Sequence, residues 1–148
     1  MSKVQTEDGV TVSYRTIGEG SRDLILVHGW MVSSGVWDGL VETLELADHR
    51  LILPDLRGAG DSEAAEDYSL ESYAGDVLAV ADAADAETFD LVGHSMGGQI
   101  AQLAAATAPE RVERMALLCT VPASGMELPE EAHQLFLHSG GDRDKQSI

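Results

Sequence analysis

Basic residues are scarce in this chain. Nine Lys and Arg stand against 26 Asp and Glu, for a formal charge of −17. Nucleic acid and anionic membrane surfaces repel such a chain, so neither is expected as a partner. Two accounts of the acidity stay open: an ordinary solvated acidic surface, or one suited to high salt, where ions screen self-repulsion. Cysteine is nearly absent too. Cys119 has no second cysteine to pair with, and its place at the end of the apolar run Met115–Cys119 predicts a buried structural thiol. No apolar run approaches the ~20 residues of a membrane helix. The opening Met-Ser-Lys-Val-Gln-Thr-Glu has no apolar stretch of the kind a secretory leader needs. These absences predict a cytoplasmic setting, where thiols stay reduced. Internal repeats and low-complexity linkers are missing as well.

What is present suits a globular fold. The chain has 148 residues, enough for one domain, and 44% of them are hydrophobic, enough for a packed core. Short alternating runs at Lys3–Thr6 and Thr11–Thr16 flank Glu7-Asp8-Gly9, a turn signal, and predict an antiparallel hairpin. Three almost wholly apolar runs follow, at Asp23–Val27, Arg50–Pro54 and Phe89–Gly93, and read as strands buried on both faces. A fourth strand is expected at Arg114–Cys119. Between them lie helical patterns. Ser33 or Ser34 can cap a helix over Val36–Leu46 with Trp37, Leu40, Val41 and Leu44 on one face. Ser69 can cap one reaching Ala84, with Leu70, Tyr73, Ala74, Val77, Leu78 and Ala81 at helical spacing. A third helix is expected from Met96 to Ala108. Buried strands alternating with helices predict an α/β fold: a mostly parallel sheet with helices on both faces, its chemistry at the strands' carboxyl ends.

One motif stands at such an end. Gly93-His94-Ser95-Met96-Gly97 is G-x-S-x-G between a strand and a helix, the setting in which this pattern marks a nucleophile elbow. Ser95 is therefore the candidate catalytic residue. His94, in the variable position, is expected to be structural. Glycine-rich phosphate loops are excluded, since no Lys-Ser/Thr pair follows the glycines.

With its neighbours, the motif resembles the α/β-hydrolase fold family. The matching residues are His28-Gly29-Trp30, Asp55-Leu-Arg57-Gly58-Ala-Gly60-Asp-Ser62, Gly93 to Gly98, and Ala108-Pro109-Glu110-Arg111-Val112, in the family's order over about Val10 to Ser124. The resemblance implies that Ser95 is the nucleophile and that the backbone N–H groups of Met96 and Trp30 form the oxyanion hole. It implies structural roles for His28, Arg57 and Asp61. A serine at the elbow implies acyl chemistry on a small carboxylic ester or lactone, without cofactor or metal. C–C bond hydrolysis, cofactor-free haloperoxidase or perhydrolase activity, and a non-catalytic ligand-binding or interaction protein on the same fold are the alternatives.

In the family the acid and the His follow the nucleophile along the chain. Here one more strand follows, then Val121–Pro129, then a helical start at about Glu130–Leu137 that resembles the opening of a lid. Leu118–Val121 carries no carboxylate; Glu127, Glu130 and Glu131 read as a solvated helix start, and His133 and His138 as lid-surface residues. Neither acid nor base has a matching position. Residues 1–124 are thus expected to form the N-terminal part of the core and 125–148 the start of a helical lid. The remaining C-terminal part of the same enzyme is the expected partner.

Overall fold

The computed structural model describes residues 1–44, 48–125, 127, 129–132 and 134. Among them one sheet has six strands in the order β1-β2-β4-β3-β5-β6. Strands β1 (Ser2–Gln5) and β2 (Thr11–Ile17) form the predicted antiparallel hairpin. Gly9 at its turn has φ 88°, the left-handed region that glycine enters without steric cost. β2 pairs antiparallel with β4 (His49–Pro54). From there the sheet is parallel: β4 beside β3 (Arg22–Val27), β3 beside β5 (Phe89–His94), and β5 beside β6 (Val112–Leu118).

Strand order dictates which face each connection covers. The chain steps from β3 to β4 in one direction and from β4 to β5, then β6, in the other. Right-handed crossovers place connections of opposite direction on opposite faces. Helices α2 (Leu70–Ala83) and α3 (Met96–Thr107) accordingly share one face. Their Val77, Val80, Ile100 and Ala104 pack with Ile25, Val27, Ile52, Phe89 and Leu91. The other face holds the β3–β4 connection, where Trp37 packs with Leu26, Leu51 and Leu53. The switch in direction lies between β3 and β5, the place where open α/β sheets form their crevice.

The β3–β4 connection departs from expectation. In place of one helix over Val36–Leu46 there is a 3₁₀ turn, Ser34–Trp37, and a single α-helical turn α1, Asp38–Val41. Gly35 and Gly39 each weaken a helix interior by about 1 kcal/mol, and Ser33 makes no side-chain cap bond. Trp37 is buried as expected, whereas Leu40 and Leu44 are exposed together with Val36. Residues 45–47 lie outside the described residues. By contrast, Ser69 caps α2 as expected, its Oγ accepting from the Ser72 N–H at 3.2 Å.

Among the described residues β6 is one of the two sheet edges, opposite β1. Met115, Leu117 and Leu118 are 42%, 39% and 42% exposed. Cys119 is exposed too, against the expectation of a buried thiol. An apolar run buries its side chains only where something lies over it, and Cys119, at φ 49°, leaves an edge that none of the described residues covers. Residues 130–132 and 134 are helical, in accord with the helical start expected there; 133 and 135–148 lie outside the described residues. No helix among the described residues is long and apolar enough to cross a membrane.

Candidate active site

Register brings the two candidate loops together. Val27, the last residue of β3, pairs with Gly93 of β5, so His28-Gly29-Trp30 and His94-Ser95-Met96 leave neighbouring strands side by side. The approach is close. A Cβ added to Gly29 would stand 3.1 Å from the His94 carbonyl oxygen and 3.2 Å from the Ser95 Cβ. At Gly97 it would meet the carbonyl oxygens of Val27 and His28 at 2.3 and 2.4 Å. At Gly93 it would lie 2.4 Å from the Gly97 carbonyl oxygen. The elbow's glycines are thus a steric requirement of packing α3 directly onto the ends of β3 and β5.

Ser95 sits between β5 and α3 at φ 54°, ψ −121°. A non-glycine residue in such a region costs about 1–3 kcal/mol and persists only where its surroundings hold it. Here its N–H donates to the Leu118 carbonyl at 2.9 Å, and its carbonyl accepts from Gly98 N–H at 2.9 Å. The same carbonyl accepts from the Thr120 hydroxyl at 2.8 Å. The side chain makes no cap bond to α3, so the hydroxyl is not consumed by the helix it precedes. Met96 opens α3, where backbone N–H groups lack intrahelical acceptors and the helix dipole favours negative charge. Trp30 stands at the rim of the adjoining loop, 42% exposed.

The histidines sort by their partners. His28 is buried; its Nε2 accepts from Leu56 N–H at 3.0 Å and its Nδ1 lies 2.8 Å from the Gly29 carbonyl. Accepting at Nε2 requires the proton on Nδ1, which then donates to Gly29. Both ring nitrogens are committed, and burial pushes the imidazole pKa down against the pull of the Gly29 carbonyl and of Asp55. His28 therefore shapes the loop. The His94 ring meets Trp37 edge-on at 6.4 Å, within the connection that covers the opposite face. His49 begins β4, paired with Arg22 at the amino ends of the strands. His133 and His138 lie outside the described residues.

The loop after β4 is built as a scaffold, with one role moved. Asp55, buried, accepts from Ser34 N–H at 2.8 Å and from Asp61 N–H at 3.0 Å. Asp61 takes part through its backbone, its carbonyl also accepting from Ser13 Oγ at 2.9 Å; the carboxylate at the centre is that of Asp55. Arg57, buried, grips Asp76 of α2 through two bonds of 2.8 and 2.6 Å and Asp8 of the hairpin turn at 2.8 Å. Those carboxylates raise the Arg57 pKa. Burial pushes the Asp76 carboxyl up while Arg57 pulls it down, and two short bonds to a guanidinium favour the ionised pair. Sequence reasoning named Arg57 here. It missed Asp55 as the hub, and it missed Thr120, whose neighbourhood showed only the lack of a carboxylate. Glu127, Glu130 and Glu131 are exposed, as expected. Among the described residues no group of three or more His, Cys, Asp or Glu is placed to hold a metal ion.

Comparison with known proteins agrees with this fold. The family model described as alpha/beta hydrolase fold matches residues 24–146. The pimeloyl-[acyl-carrier protein] methyl ester esterase of Nitrosomonas europaea is 38% identical over 112 residues, covering 76% of this chain and 42% of that protein. The non-heme chloroperoxidase of Streptomyces lividans is 32% identical over 125 residues, covering 82% of this chain and 45% of that one. A solved structure described as Est816, an N-acyl homoserine lactone degrading enzyme, superposes with a TM-score of 0.81 at 31% identity, over 96% of this chain and 53% of that one. The chain thus spans less than half the length of the curated relatives it matches. With the matched residues spanning most of the strands and the whole elbow, the chain belongs to the alpha/beta hydrolase fold family.

Proposed function

We propose that this chain supplies the nucleophile and both oxyanion donors of a serine hydrolase that cleaves a small carboxylic ester or lactone through an acyl-enzyme. The observation that carries the reading is the Ser95 turn. It is a strained residue with its hydroxyl uncommitted to the helix, at the start of α3, against the loop that carries Trp30. In the mechanism the Ser95 Oγ attacks the carbonyl carbon while its proton passes to a histidine. The carbonyl oxygen becomes an oxyanion between the N–H groups of Met96 and Trp30, which are worth several kcal/mol there. Collapse expels the alcohol, and water then releases the acid. Both named relatives with ester or lactone in their descriptions fit acyl transfer.

We infer that the acid and the base come from further polypeptide of the same enzyme. Serine without a base is a poor nucleophile near neutrality. We therefore assign residues 1–124 to the core and 125–148 to the opening of a helical lid. We infer that the active species contains further polypeptide of the same enzyme, on the order of a hundred residues or more. A second reading, perhydrolysis, has the chloroperoxidase relative in its favour. There hydrogen peroxide in place of water would release a peracid from the same acyl-enzyme. A cytoplasmic setting suits the exposed Cys119 thiol.

The test is covalent and kinetic. In the complete enzyme a fluorophosphonate should label Ser95, and Ser95→Ala should abolish ester hydrolysis; undiminished turnover in Ser95→Ala would overturn the reading. Met96→Pro removes the donor itself and should cost about 10²-fold or more in rate. Residues 1–148 alone should hydrolyse p-nitrophenyl esters near the background rate.

A further inference from the structure

The peptide between Ser95 and Met96 is anchored by a residue that no motif singles out. Thr120 follows β6 by two positions. Its hydroxyl donates to the Ser95 carbonyl at 2.8 Å, with the Val121 carbonyl a second acceptor at 3.1 Å. Gly98 N–H donates to the same Ser95 oxygen at 2.9 Å, and Ser95 N–H donates to Leu118 O at 2.9 Å. The segment leaving β6 therefore grips Ser95 at both its N–H and its C=O. This segment is itself clamped to α3. Gln102 Nε2 donates to the Val121 carbonyl at 3.1 Å, and Gln99 Nε2 to the Pro122 carbonyl at 3.1 Å.

Peptide planarity turns this anchor into an aiming device. In a trans peptide the C=O of one residue and the N–H of the next point in opposite directions, and no peptide here is cis. Tying the Ser95 carbonyl to Thr120 and Gly98 thus fixes the direction of the Met96 N–H, away from both and free of an intrahelical acceptor. We propose that Thr120 is a positioning residue for the oxyanion donor: its hydroxyl sets the tilt of the Ser95–Met96 peptide and so the aim of Met96 N–H. The inference rests on the roles proposed above for Ser95 and Met96. A second observation supports it. A Cβ at Gly98 would stand 2.4 Å from the Thr120 Oγ1 and 2.5 Å from its Cβ. The absent side chain at position 98 is what lets Thr120 reach the elbow, which accounts for a glycine one residue beyond the G-x-S-x-G motif.

A hydroxyl that merely stitched the fold would lower stability when removed, with no preference between planar and tetrahedral ligands. An aiming residue discriminates. In the complete enzyme, Thr120→Val should lower kcat for p-nitrophenyl esters about tenfold or more with KM within about twofold. It should weaken by a similar factor the binding of an alkylboronic acid, which becomes tetrahedral and anionic on serine, and leave binding of the planar amide analogue unchanged. Thr120→Ser keeps the donor and should restore both. Should Thr120→Val fail to fold, Thr120→Ala removes the donor without placing a methyl against the carbonyl and gives the same comparison. Wild-type kcat and boronate affinity in the folded donor-less variant would overturn the inference, as would equal losses for boronate and amide. Ser95→Ala run in parallel separates the two claims. If it is dead while Thr120→Val is unaffected, only the role of Thr120 falls; if it turns over, the Ser95 reading falls with it.

Discussion

Strands β5 and β6 run side by side in parallel register, and both are apolar, yet they meet different surroundings. β5 has β3 on one side and β6 on the other, with α3 across its face. Phe89 at its start is 2% exposed. Among the described residues β6 has one neighbouring strand, and its Met115, Leu117 and Leu118 stand open to water. Burial follows position in the sheet more than hydropathy of the strand. The contrast extends to their carboxyl ends. β5 runs into a turn that three close glycine contacts, two backbone bonds and the Thr120 hydroxyl confine. β6 runs into an exposed cysteine at positive φ. Yet the edge strand is not idle, because the residues just past it hold the elbow's peptide in place. An apolar edge left open among the described residues is a template for pairing with another strand.

The contrast can be broken or sharpened by substitution. The largest effect is expected at the start of β5, where Phe89→Ala should cost about 3–5 kcal/mol in urea unfolding. A loss below about 1 kcal/mol would mean that the core there can collapse into the space. Next comes the elbow. Gly97→Ala drives a methyl into the carbonyl oxygens at the end of β3, and overpacking of this kind costs about 1–3 kcal/mol. Wild-type stability in this variant would show that the close approach is relaxed in solution.

A smaller effect belongs to Asp8, the exposed carboxylate that ties the hairpin turn to Arg57. Its hydrogen bonds to Arg57 and Thr6 hold its pKa down, at about 2. A carboxyl depressed in the fold stabilises it above the unfolded pKa and loses that contribution as pH falls through the folded value. The stability gap between wild type and Asp8→Asn should therefore be full above pH ~4 and close between about pH 4 and 2. A gap that persists unchanged at pH 2 would assign the effect to something other than charge. The smallest effect is expected at the edge. Leu117→Lys should change unfolding by no more than about 0.5 kcal/mol. It should also reduce self-association of residues 1–148 in light scattering, since a charge on an edge strand opposes pairing. A loss of several kcal/mol would mean that the edge is covered.

Much of this protein was determined by sequence at short range. A tight hairpin turn favours Asp-Gly, and Asp8-Gly9 is there; a helix start favours a capping hydroxyl, and Ser69 accepts from Ser72 N–H. A sharp strand-to-helix turn needs small residues close to its centre, and Gly93 and Gly97 stand two residues either side of Ser95. Each of these depends on a few neighbouring residues, so its pattern is written in a few neighbouring letters. The tertiary structure decided the rest. Strand order, by leaving β6 with one neighbour among the described residues, exposed Cys119 that hydropathy alone would bury. Glycines at 35 and 39 and the grip of Asp55 on Ser34, 21 residues away, replaced a full helix with two short turns. His28 was committed by Leu56, 28 residues on, and the Ser95 carbonyl by Thr120, 25 residues on. Such pairings carry no local periodicity or spacing, because their partners become neighbours only when parallel strands and their crossovers bring the carboxyl ends of the sheet together.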